Sequence, residues 1–151
     1  MDDDLKALYQ TAILDHSRQP RNQGKPEGCT HRARGYNPLC GDQITVYMEV
    51  DGDRIAAAGF EGKGCALCLA SASMMTEAIA SANKATLVNL LDDLKLICTQ
   101  EQAETVNAPE EIAPLLPLSG VRAYPVRVKC VTLPWQTALA AIAGEGEATT
   151  E

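Results

Sequence analysis

The sequence predicts an α+β fold in which a small antiparallel β-sheet of about three strands packs against several α-helices. Three observations carry that expectation. Residues 43–50 alternate Ile44, Val46, Met48 and Val50 against Gln43, Thr45, Tyr47 and Glu49, the period of a half-buried strand. The hairpin signal Asp51-Gly52-Asp53 follows, and residues 54–60 return as the next strand. Around this pair, apolar residues recur at helical spacing: Leu5, Leu8, Tyr9, Ala12 and Ile13, then Leu67, Ala70, Met74 and Ala78, then Leu87, Leu90, Leu91, Leu94 and Ile97.

In chain order, a first amphipathic helix covers residues 3–16, with aspartates in its opening turn to suit the helix dipole. Pro20 and Gly24 stop it and begin a loop that runs past Cys29 and His31 to Asp42. The hairpin comes next, and after it the glycine-punctuated turn Gly62-Lys63-Gly64 delivers Cys65 onto the start of a helix rich in Ala and Ser. That composition lets a neighbouring element approach closely. Beyond the leucine-striped helix a loop starts at Thr99. Pro109, Pro114 and Pro117 then limit residues 110–116 to a short turn of helix. Gly120 opens another loop, and a last helix starting near Pro134 carries Trp135, Leu139 and Ile142 on one face. Residues 1–143 read as a single domain, and residues 144–151 as an acidic disordered tail.

Composition narrows the function. At 151 residues the chain can bury a real core without cross-links, so its six cysteines need another explanation. Met1-Asp2-Asp3-Asp4 has neither the basic nor the apolar part of an export signal, which predicts a cytoplasmic chain whose thiols serve metal or sulfur chemistry. A net charge of -7 with a single Phe and a single Trp argues against a nucleic-acid surface, and no apolar run is long enough for a membrane span. The partner expected is a protein.

Cys40, Asp42, Cys65 and Cys130 each fall at the end of an element, where ligands from separate parts of a fold can converge. Three thiolates and a carboxylate suit zinc or iron in tetrahedral coordination. Arg127 and Lys129 flank Cys130 and can offset the negative charge of such a site or hold an incoming sulfur species. Spacing alone makes Cys65-x-x-Cys68 more visible, as half a zinc site or a redox pair, and Cys68 reads either as a further metal-facing thiol or, preferably, as core packing. Cys98, closing a leucine-striped helix, reads as structural. Cys29, two residues before His31, reads as an incidental surface thiol, and His16 as a helix-end residue satisfied by hydrogen bonds.

Four ordered motifs then carry a resemblance: Asp15-His16 with Pro20-Arg21-Asn22; Asn37-Pro38-x-Cys40-Gly41-Asp42; Phe60-x-Gly62-x-Gly64-Cys65 followed by residues 70–76, ASASMMT; and Arg127-x-Lys129-Cys130-x-Thr132-Leu133-x-Trp135. Over residues 8–142 the chain resembles the IscU/NifU-like family of iron-sulfur cluster assembly proteins, and within it the SufU branch. The resemblance implies that Cys40, Asp42, Cys65 and Cys130 bind metal, and that the metal is zinc. It further implies that Cys40 accepts persulfide sulfur from a SufS-type cysteine desulfurase, for delivery to downstream iron-sulfur scaffold proteins, and that Arg127 helps dock or steer the desulfurase. In this view the protein is a sulfurtransferase-like acceptor that stimulates the desulfurase. The alternative is a scaffold holding a nascent iron-sulfur cluster on the same ligands, and a purely structural zinc is a third reading. Lys129 stands where the scaffold branch has histidine, and Ala123-Tyr124-Pro125-Val126-Arg127 where that branch has a Leu-Pro-Pro-Val-Lys chaperone-binding segment.

Overall fold

The computed structural model describes residues 3–39, 41–100 and 106–149. Helix α1 (Asp3–Arg18) is followed by strands β1 (His31–Asn37), β2 (Asp42–Asp51) and β3 (Arg54–Lys63), then by helices α2 (Ala66–Ala78), α3 (Lys84–Thr99) and the single turn α4 (Pro109–Ile112). Two 3-10 segments, Ala113–Ala123 and Pro125–Arg127, lead into α5 (Val128–Ile142) and a short strand β4 (Glu147–Thr149). The sheet order is β3-β2-β1-β4, antiparallel between β1, β2 and β3. One face of the sheet is covered by α5, which also packs on α2 and α3, while α1 lies against α2.

The alternation in residues 43–50 does what its period predicts. Ile44, Val46 and Met48 are buried against the helices, and across the ladder Val46 faces Phe60, itself fully buried. The helical stripes meet them: Met75, Leu87, Leu90, Leu94 and Trp135 close the core. Trp135 Nε1 donates to Ser71 Oγ at 3.1 Å, and Ser71 Oγ donates to the Val131 carbonyl at 2.5 Å. This chain of two hydrogen bonds satisfies the indole N–H in the core and ties α5 to the small-residue face of α2.

The expected α+β fold with its small antiparallel sheet is present, one strand larger than expected, and three local expectations are corrected. The sheet has four strands where about three were expected, because β1 and β4 both lie in segments read as irregular. In β1 the inward positions are Ala33, Gly35 and Asn37, too small or too polar to show as an apolar alternation. They are small because α5 lies directly on them, and a Cβ at Gly35 would run into Thr137 Oγ1. Within the segment read as a disordered tail, residues 147–149 form β4, pairing parallel with β1, with Ala148 against the core and Gly146 O accepting from Arg34 N at 2.9 Å. The sheet edge supplies the hydrogen bonds that the tail composition gave no reason to expect. The loop read after Gly120 is 3-10 helix as far as Ala123. Finally, α5 begins at Val128 rather than near Pro134, so Pro134 is inside the helix.

The first motif of the sequence, Asp15-His16 with Pro20-Arg21-Asn22, is a clamp between the end of α1 and the middle of α2. Ser73 Oγ lies 2.7 Å from His16 Nδ1 and accepts from Arg21 N at 2.9 Å, while Asn22 Nδ2 donates to Thr76 Oγ1 at 3.1 Å. Arg21 also pairs with Asp15 at 2.6 Å. Partial burial, and then the Arg21 charge, hold His16 below its ordinary pKa, against the weaker pull of Glu77 and Asp15. Ser73 Oγ thus satisfies the His16 ring, as the helix-end reading of His16 expects.

Candidate metal centre

Three elements end at one point. Asp42 opens β2, Cys65 caps the N-terminus of α2, and Cys130 sits in the first turn of α5. One ligand atom from each, a carboxylate oxygen and two Sγ atoms, lies within 4.8 Å of the others. A tetrahedral metal with bonds of ~2.0–2.3 Å separates its ligand atoms by roughly 3.5–3.8 Å. Cys65 Sγ stands 3.8 Å from Asp42 Oδ2, so small side-chain adjustments bring the set to that geometry. Two thiols and a carboxylate are a donor set that suits zinc or iron far better than magnesium or calcium.

The set is built to stay in place. Asp42, 1% exposed, accepts the Cys65 backbone N–H on Oδ1 at 2.9 Å, which binds the start of β2 to the start of α2. Gly64 makes that approach possible, since a Cβ there would stand only 2.9 Å from Asp42 Oδ1. Cys65 Sγ in turn accepts from Cys68 N at 3.4 Å, so the sulfur replaces the usual hydroxyl or carboxylate as helix cap. Cys130 is fully buried, and Asn37 Nδ2 donates to its sulfur at 3.8 Å. Asn37 also receives Leu39 N on Oδ1 at 3.2 Å and Gly41 N on its carbonyl at 2.9 Å. One buried amide therefore organises both the Cys130 sulfur and the turn leading to Asp42. Cys40 lies outside the described residues.

Residues 8–131 match the family of NifU-like N terminal domains. The chain belongs to that family. It is 36% identical over 141 residues to the zinc-dependent sulfurtransferase SufU of Bacillus subtilis (strain 168), covering 93% of each chain. It is 34% identical over 138 residues to the iron-sulfur cluster assembly scaffold protein IscU of Streptococcus pyogenes serotype M1, covering 91% of this chain and 84% of that one. Among solved structures, a candidate iron-sulfur cluster assembly scaffold protein for the SUF system from Fervidobacterium islandicum AW-1 superposes with a TM-score of 0.77 at 32% identity, over 87% of this chain and 93% of that one. The mixed helix-and-sheet architecture is thus that of NifU-like domains.

Within this NifU-like domain the remaining cysteines separate by environment. Cys98 is fully buried near the end of α3, donates weakly to Leu118 O at 3.8 Å, and is pushed by burial up to about 12 against a small opposing effect of Arg122. Such a thiol is inert at neutral pH. Cys29 donates to the carbonyl of His31 at 3.3 Å, and neither it nor His31 belongs to the ligand cluster found among the described residues. Cys68 is also outside that cluster and is 1% exposed. Its side chain is packed, although its backbone supports the Cys65 sulfur.

Arg127 is the residue immediately before α5 and donates its backbone N–H to Tyr124 O at 2.8 Å; it and Lys129, both half-buried, shortly precede Cys130 in the chain. Large apolar side chains stand open on the segments that feed the site: Leu39 on the turn before Asp42, and Tyr124 and Val126 on the segment before Cys130, each about two-thirds exposed. Sequence reasoning passed over these three, and over Asn37 and Ser71 as positioning residues. Their only sequence signal was membership of, or adjacency to, the motif stretches. No helix among the described residues is long and apolar enough to cross a membrane.

Proposed function

We propose that this NifU-like protein is a zinc-dependent sulfur-transfer protein that accepts persulfide sulfur on Cys40 from a SufS-type cysteine desulfurase in the cytoplasm and passes it to iron-sulfur scaffold proteins. The observation that carries this reading is the convergence of Asp42, Cys65 and Cys130 from three separate elements, with Lys129 rather than histidine beside the last cysteine. Cys40, two residues before Asp42, is the fourth ligand. A bound zinc ion would keep the thiolates deprotonated while permitting ligand exchange. Asp42, Cys65 and Cys130 belong to the starts of β2, α2 and α5, whereas Cys40 stands in sequence between β1 and β2. In this reading Cys40 is the ligand that leaves the metal to take up sulfur.

The transfer is thiol–disulfide exchange. The Cys40 thiolate attacks the terminal sulfur of the enzyme's persulfide, a new S–S bond forms on Cys40, the old S–S bond breaks, and the desulfurase cysteine departs as thiolate with no net oxidation. Arg127 and Lys129 place positive charge where the anionic persulfide arrives. Leu39, Tyr124 and Val126 supply an apolar rim for the partner protein, as exposed large side chains beside a site commonly do. The deciding experiment is desulfurase turnover with and without the protein: wild type stimulates and Cys40→Ala does not. Equal stimulation by the two rejects the reading.

A scaffold function on the same residues is favoured by one fact, the 34% identity to a relative named as a scaffold. Anaerobic reconstitution with iron and sulfide tests it. A stoichiometric cluster passed intact to an apo-acceptor, by protein that is purified without zinc, would establish the scaffold instead.

A further inference from the structure

Cys68 is the residue of the site region to which sulfur transfer gives no task. It lies in the first turn of α2, three residues after Cys65, and so on the same side of the helix. The two thiols differ in access: Cys65 is half-buried and Cys68 is sealed in the core. The hydrogen bond from Cys68 N to Cys65 Sγ, 3.4 Å, holds the outer sulfur over the turn that carries the inner one. Cys65 itself has extended backbone angles, φ -69° and ψ 166°, and so sits on the hinge between loop and helix. Its sulfur can move to a disulfide with Cys68 without any shift of α2 against α5. A bond from Cys65 to the nearby Cys130 would instead join two helices whose spacing is already set by Trp135, Ser71 and Val131.

We propose that Cys65 and Cys68 form a reversible disulfide when the site is without metal and a peroxide is present, which keeps Cys65 in a form that can be restored. The Cys65 sulfur attacks one peroxide oxygen and the O–O bond breaks. One oxygen stays as a sulfenic acid and the other leaves as water. The Cys68 sulfur then displaces the sulfenic oxygen, which departs as a second water, and the S–S bond forms. Two thiols are oxidised by two electrons and one peroxide is reduced. The inference rests on the proposed ligation by Cys65 in one respect: a metal on the sulfur keeps it from the oxidant.

The test uses the full chain, stripped of metal by chelation or loaded with zinc, and treated with hydrogen peroxide. Trypsin cleaves after Lys63 and Lys84, so Cys65 and Cys68 fall in one peptide and Cys130 in another. The expected result is a 64–84 peptide lighter by two hydrogens, restored by dithiothreitol together with zinc binding, and formed at least about tenfold more slowly in the zinc-loaded protein. In Cys68→Ala, Cys65 should instead proceed to sulfinic acid, and reductant should not recover zinc binding. A cross-link between the Cys65 and Cys130 peptides, or full recovery in Cys68→Ala, overturns the inference; the wild-type peptide map decides even if that variant folds poorly. Disulfide formation at equal rates with and without zinc supports the pair and rejects Cys65 as a ligand.

Discussion

Cys65 and Cys98 are both cysteines at helix ends in the same core, and they have opposite characters. Cys65 caps the N-terminus of α2, where the peptide N–H groups point at it, and Asp42 and Cys130 face it from two other elements. Cys98 occupies the last turn of α3 with a carbonyl oxygen as its partner and apolar side chains around it, and burial raises it to about 12. The end of the helix, and what the rest of the fold brings to that end, decide whether a thiol is chemistry or packing. Residue type alone does not distinguish the two; the glycine turn before Cys65 and the leucine stripe before Cys98 already hint at the difference.

The sharpest way to break this contrast is Cys65→Ser. Serine is a good helix cap, so α2 should survive while the proposed sulfur ligand is lost. Metal analysis of the purified variant should find the protein essentially without zinc, with circular dichroism unchanged. Retained stoichiometric zinc would refute the site. Asp42→Ala should come next in size. It removes the proposed oxygen ligand and the acceptor for Cys65 N–H, and a competition assay with a chromogenic chelator should show zinc affinity lower by roughly a hundredfold or more.

Cys98→Ala should do the reverse, leaving zinc content intact and costing about 1–2 kcal/mol in urea unfolding through the space left in the core. A loss of metal in that variant would mean that the two regions are not independent. The smallest effect is in pH dependence. Because the folded value for Cys98 is raised above the ordinary value of 9.0, its contribution to stability is complete below pH 9 and is lost as pH rises towards about 12. The urea midpoint of wild type should therefore fall more steeply above pH 9 than that of Cys98→Ala. Equal slopes would show that Cys98 is not responsible.

Much of the fold is legible in the sequence because its periods are strong. The alternation of residues 43–50 and the leucine stripe of α3 each bury the face they predict. Strand β1 is not legible, since Ala33, Gly35 and Asn37 are chosen for contact with α5, and that contact is invisible in a local window. Strand β4 is hidden for a related reason, as residues 147–149 are strand only because the β1 edge is beside them. At the site, the candidate ligands were readable as residue types at element ends. The roles of Asn37 and Ser71 were not, because each acts through a partner 60 or more positions away, Cys130 at 93 and Trp135 at 64.

The class of the fold, the family motifs and the thiol and carboxylate residues available for chemistry are readable along the chain, because each is written in local period, turn composition and residue type. Tertiary structure alone decided which of those residues meet. Asp42, Cys65 and Cys130 are separated by 23 and 65 positions, and they come within reach only because β2, α2 and α5 end together around one buried amide. The same packing sealed Cys98 and Cys68 away from solvent. A thiol's neighbours in space set its solvation and its partners, and those neighbours are chosen by the core.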